Sequence, residues 1–120
     1  MNESVETEMG YAKLEGPNIH QLITKTKVYL GREVETKDPS ITDDIQFISL
    51  GHGQRISRKH VFIYFDFDKH EWFAQNHSKN KIYINREIIS KMQEPICISP
   101  IAAFQVDENN FYFFQSKPEN

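Results

Sequence analysis

Apolar and polar residues alternate in short runs along this chain, and the runs are broken by turn-forming residues every few positions. Tyr11-Ala12-Lys13-Leu14-Glu15 has period two and predicts a first strand; Gly16-Pro17-Asn18 predicts a turn, and Ile19 to Ile23 the return strand of a hairpin. Lys25 to Leu30 reads as a third strand ending at Gly31-Arg32. Glu33 to Asp44 is a polar loop interrupted by Pro39, and Ile45 to Leu50 restores the alternation. Gly51-His52-Gly53-Gln54 forms a turn-like approach to Arg55-Ile56-Ser57-Arg58-Lys59-His60-Val61 and the apolar run Phe62 to Phe67. Asp68 to Glu71 marks a turn before the strand Trp72 to Gln75. A second polar loop, Asn76 to Lys81, precedes the strand Ile82-Tyr83-Ile84 and a turn at Asn85-Arg86. Short apolar runs follow at Ile88-Ile89, Ile96 to Ile98, Ala103 to Val106 and Phe111 to Phe114. No segment sustains a helical repeat over three turns. The pattern predicts an all-β sandwich or barrel of antiparallel strands.

Composition narrows this picture. The 120 residues suit one compact domain, and 38% hydrophobic with 26% charged residues supply a core. Nine Phe and five Tyr favour half-buried strands. A net charge of −3 provides no global basic field for nucleic acid, so any anion site must come from a local concentration of cations. Cys97 is the only cysteine, which rules out an intramolecular disulfide; its setting between Ile96 and Ile98 predicts a buried strand residue. No window is apolar enough for a membrane span, and residues 1–9, expected to be a disordered acidic tail, lack a secretion-signal pattern. An intracellular, reduced compartment is expected.

Three polar loops carry the candidate chemistry: Gly31-Arg32, Gly53 to His60, and His77 to Asn80. Cations with a hydroxyl donor at a rigid strand end suit the capture of phosphate or carboxylate oxygens, and in a sandwich such loops converge from separate parts of the chain. An enzyme reading would use Ser57 and His60 as nucleophile and base, or His52, His60 and His77 as metal ligands. No motif supplies an orienting carboxylate, and the histidines lack zinc-ligand spacing.

Gly31-Arg32, then Ser57-x-x-His60, then Lys79-Asn80 and a further Asn85 resembles the ordered signature of forkhead-associated (FHA) domains, with the match running from Tyr11 to Gln115. Tyr11 to Gly16 and Tyr64 to Phe67 resemble the subgroup found in forkhead-type and related nuclear transcription regulators. The resemblance implies an FHA-type β-sandwich of two antiparallel-rich sheets with roughly eleven strands. It would occupy residues 10–116, with residues 117–120 as a C-terminal tail.

The resemblance also implies a phosphothreonine-dependent peptide-binding module. Arg32 and Ser57 would contact the phosphate, Arg58 and Lys79 would add contacts, and Asn80 would bond the peptide backbone, with Gly31, His60 and Asn85 in support. The expected partner is a phosphothreonine-containing protein or peptide. No cofactor, metal, catalysis, membrane or direct nucleic-acid contact is expected, and the domain is expected to be a nuclear monomer. The chain departs from the family where Lys81 and Arg86 replace glycines, so each must accept a strained backbone or change its turn. Those replacements keep an alternative open: a degenerate scaffold that binds a partner through a sheet face without phosphate.

Overall fold

The computed structural model describes residues 10–116, all of it strand, turn and loop. The proposed tails, 1–9 and 117–120, lie outside the described residues. Eleven strands follow in chain order: β1 (Ala12–Gly16), β2 (Ile19–Ile23), β3 (Lys27–Gly31), β4 (Gln46–Ser49), β5 (Val61–Asp66), β6 (Glu71–Asn76), β7 (Ile82–Ile84), β8 (Glu87–Ile89), β9 (Ile96–Cys97), β10 (Ile101–Val106) and β11 (Asn109–Gln115). One sheet has the order β2-β1-β11-β10-β7-β8 and the other β4-β3-β5-β6-β9.

Alternation decides which side chains fill the space between the sheets. Leu14, Phe104, Phe111 and Phe113 face inward from the first sheet; Val28, Leu30, Val61, Ile63 and Trp72 face them from the second. Trp72 meets Phe113 with ring centroids 5.6 Å apart, and Phe104 stacks on Phe111 at 5.2 Å. Pairs of this kind add on the order of 0.5–1.5 kcal/mol beyond burial.

Two expectations change. β3 and β4 pair in parallel, Val28 opposite Gln46 and Gly31 opposite Ser49. Parallel neighbours need a long crossover, which residues 32–45 provide. That connection is also less polar than its composition suggests, because Ile41 is only 4% exposed. Cys97 is the second correction: it lies on β9 but is exposed, since Ile96 and Ile98 take the inward positions on either side of it.

The strand directions bring the candidate loops together. Because β4 is parallel to β3, both end at the same edge of the sandwich; because β5 is antiparallel to β3, it begins there, and β6 returns there. Gly31-Arg32, the segment 51–60 and the segment 77–81 therefore share one end.

At the β7–β8 turn, Asn85 (φ 52°) and Arg86 (φ 72°) both have left-handed backbone, the geometry of a two-residue type I′ hairpin. Asparagine tolerates that region and arginine does so at a cost. Arg86→Gly is therefore expected to raise the unfolding free energy by about 0.5–1 kcal/mol, as read by urea denaturation.

Candidate functional site

The contact between the first two loops is made by backbone. A Cβ on Gly31 would lie 1.7 Å from the Arg58 carbonyl oxygen and 3.0 Å from that of Ser57, so no other residue fits without moving the second loop. Around this approach the Arg32 N–H donates to the Ser57 carbonyl at 2.9 Å, and the His60 N–H donates to the Leu30 carbonyl at 2.8 Å.

His60 closes the second loop from inside. It is 1% exposed, and its Nδ1 accepts the Ser57 backbone N–H at 2.9 Å. That bond requires Nδ1 to be unprotonated, and burial holds the imidazole below its ordinary pKa, with Asp107 opposing. His60 thus faces the Ser57 backbone and not its hydroxyl. The Ser57 Oγ is paired with the Ser78 Oγ at 2.8 Å. Among the described residues, no three His, Cys, Asp or Glu side chains group as metal ligands.

The third loop is assembled by two residues that the sequence reading passed over. Asn76, fully buried, accepts the Ser78 N–H on Oδ1 at 2.9 Å and donates through Nδ2 to the carbonyls of Asn80 (3.0 Å) and Ile89 (2.9 Å). Ser78, also buried, accepts the Asn80 N–H at 3.0 Å and carries the bond to Ser57. The signal was present in the sequence as Asn76-His77-Ser78, because an asparagine that bonds the N–H two residues on forms an Asx turn. Asn80 donates from Nδ2 to the Arg55 carbonyl at 2.7 Å, tying the third loop to the second. Lys81 does not have a positive φ, so the replaced glycine leaves no left-handed strain beside Asn80.

Among the described residues no carboxylate lies within ion-pair distance of Arg32, Arg58 or Lys79, and Arg58 and Lys79 are exposed. Arg55 is engaged with Asp107 at 3.2 Å, and Lys59 donates to the Ser40 Oγ at 2.7 Å. Arg32, Ser57, Arg58, Lys79, Asn80, Gly31 and His60 are therefore brought to one end of the sandwich. Asn85 is not: it sits beyond β7, bonded to the Ala103 N–H (2.9 Å) and carbonyl (2.8 Å). Cations and a hydroxyl on neighbouring loops are residue types able to hold a multiply charged oxyanion.

A family model for the FHA domain matches residues 28–101. A tobacco (Nicotiana tabacum) protein described as the transcriptional activator FHA1 is 28% identical over 108 residues, covering 90% of this chain and 50% of its own length. The FHA domain-containing protein FHA1 of Arabidopsis thaliana is 26% identical, and 41% of its length is covered. This chain thus spans half or less of the length of these relatives. Among solved structures, the MEK1 FHA domain in complex with a HOP1 phosphothreonine peptide superimposes with a TM-score of 0.64 at 17% identity, covering 90% of this chain and 99% of that one. The N-terminal FHA domain of S. cerevisiae Rad53p, bound to a phosphothreonine peptide, gives 0.61 at 16% identity, with 88% and 94% covered.

Two outcomes follow from the geometry. Gly31→Ala is expected to lower stability by about 1–3 kcal/mol, because its Cβ displaces the Ser57–Arg58 backbone; urea denaturation measures this. Stability is also expected to fall on acidification. His60 and His77 are both depressed below 6.5 by burial, and Lys59 and Lys91 further depress His77. The unfolded chain therefore binds more protons. The stabilisation is complete above about pH 6.5 and is lost as pH falls toward the folded values. The urea midpoint should drop between pH 7.5 and 5.5.

Proposed function

The chain belongs to the FHA family, and from that premise we propose that it is a phosphothreonine-dependent peptide-binding module. The observation that carries this reading is the convergence of Arg32, Ser57, Arg58 and Lys79 on loops tied together by backbone and buried side chains. A phosphothreonine presents about −1.5 to −2 charges at neutral pH on three acceptor oxygens. The Arg32 guanidinium and Ser57 hydroxyl are assigned to those oxygens, with Arg58 and Lys79 adding charge.

Asn80 has Nδ2 committed to the Arg55 carbonyl, so its Oδ1 and remaining N–H are assigned to the peptide backbone. Gly31 and His60 are positioning residues, and Asn85 supports a turn outside the site. The role is recognition without catalysis, cofactor or metal, by a monomer that makes no direct contact with membrane or nucleic acid. The MEK1 and Rad53p complexes with phosphothreonine peptides support the ligand class. The description of the tobacco relative as a transcriptional activator supports a setting in nuclear signalling or transcription regulation.

A second reading, partner binding through a sheet face without phosphate, has one observation in its favour. Leu22 (42%), Tyr83 (41%), Ile88 (51%), Ile101 (55%) and Tyr112 (52%) are exposed on the outer face of the first sheet.

Titration of a degenerate phosphothreonine peptide library separates the readings. Charge-assisted bonds are each worth about 1.5–3 kcal/mol, so Arg32→Ala should weaken phosphopeptide binding at least tenfold. Unphosphorylated peptide should not bind. Binding that ignores both phosphate and Arg32→Ala would sink the phosphopeptide reading in favour of the sheet face.

A further inference from the structure

The β7–β8 hairpin carries strain that the three loops do not explain. Ile84 pairs with Glu87, which leaves Asn85 and Arg86 as the two loop residues, both with positive φ. The second loop position of such a turn is the one that glycine fills most readily. Arginine held there is strained, and strain of this kind persists where the surroundings fix it and gathers at functional sites. Here the surroundings do fix it. The Asn85 N–H donates to the Ala103 carbonyl at 2.8 Å, and the Asn85 Oδ1 accepts the Ala103 N–H at 2.9 Å. The turn is thereby fastened to β10 from both sides.

Arg86 borders an open hollow of about 340 Å³ on the outer face of the first sheet, lined also by Tyr83, Ala103, Gln105 and Asn110. Tyr83 lies opposite Gln105 on one side and Ile88 on the other, and Tyr112 lies opposite Ala103. Tyr83, Ile88 and Tyr112 are all exposed, so an apolar rim surrounds the hollow. Among the described residues no carboxylate comes within ion-pair distance of Arg86. Glu15, on the same face, is already engaged by His20 at 2.6 Å and Lys13 at 4.0 Å. A planar guanidinium matches both oxygens of a carboxylate, and the Gln105 and Asn110 amides supply further donors. No second cation lines the hollow, which suits a singly charged carboxylate better than a phosphate dianion.

We propose that this hollow binds an acidic side chain, Asp or Glu, from a partner protein's segment whose flanking residues are apolar. The carboxylate meets the Arg86 guanidinium, and the apolar neighbours lie on Tyr83, Ile88 and Tyr112. This is a second binding site, at the other end of β7 from the phosphate loops, and it does not depend on the phosphopeptide reading. It gives the apolar outer face of the first sheet a preference for negative charge. It also accounts for an arginine at a turn position where glycine is more stable, because binding residues are often kept at the expense of stability.

The test titrates the blocked peptide acetyl-Ser-Leu-Glu-Leu-Ser-amide, and its counterpart with Gln in place of Glu, into the isotope-labelled full chain by NMR. The Glu peptide should shift the backbone amide resonances of Tyr83, Ala103 and Gln105, and the Gln peptide should bind about fivefold more weakly. Arg86→Gly should reduce binding of the Glu peptide to the Gln level. That variant is expected to be more stable than the wild type, so the loss is not unfolding. Arg32→Ala should leave the shifts unchanged, which separates this site from the cations of the three loops. Equal binding of the two peptides, no shift at these residues, or shifts that survive Arg86→Gly overturn the proposal. Shifts that vanish with Arg32→Ala assign the peptide to the loops and overturn it too. Shifts at these residues that grow with protein concentration in the absence of peptide assign the face to a second copy of the chain, against an acidic partner.

Discussion

Two stretches of backbone meet where Gly31 lies against the Ser57 and Arg58 carbonyls, with no space for a side chain between them. The Arg32–Ser57 and Leu30–His60 hydrogen bonds form only because the chains approach this closely. Arg32 follows Gly31 directly, and Ser57 and Arg58 are the residues it touches, so the spacing among three of the cluster's polar residues is set by one missing Cβ. Surface loops carrying cations would ordinarily spread apart under mutual repulsion. Here backbone hydrogen bonds, insensitive to salt, hold them.

Around that contact lies a second layer of buried polar atoms. Asn76, Ser78 and His60 are each at most 1% exposed. Burying an unpaired polar group costs on the order of 1–3 kcal/mol, and among the described residues only the His60 Nε2 is left without a partner. Asn76 and Ser78 use theirs to shape the third loop, and His60 accepts through Nδ1 to shape the second. The Ser57–Ser78 and Asn80–Arg55 bonds then join the two loops. The cost of bringing these cation-bearing loops together is met by folding. A chain with net charge −3 thus gathers Arg32, Arg58 and Lys79 at one end.

The parallel pairing of β3 and β4 ties architecture to recognition. It places two strand ends at the same edge and requires the long connection between them. That connection contributes nothing to either ladder, yet it buries Ile41 and is braced by Lys59 from the neighbouring loop. The cluster of cations and an apolar hollow beside the connection consequently share Arg58.

Much of this was legible in the order of residues. Period-two alternation separated by turns located the strands, since each pleated strand with one buried face writes that pattern into its own sequence. Ile19–Ile23 and Ile82–Ile84 were read to the residue. The three polar loops were also visible, as was the strained turn at Arg86. Other features depended on neighbours distant in the chain. Alternation does not carry strand direction, so the parallel β3–β4 pair was hidden. Cys97 reads as buried among isoleucines, but only its register on β9 turns it outward. Ser78 and Asn76 resemble any polar loop residues until the fold removes them from water and obliges them to find partners. Residue types and local periodicity are properties of the chain itself; partners, strand sense and the close approach at Gly31 exist only once separate segments have been packed together.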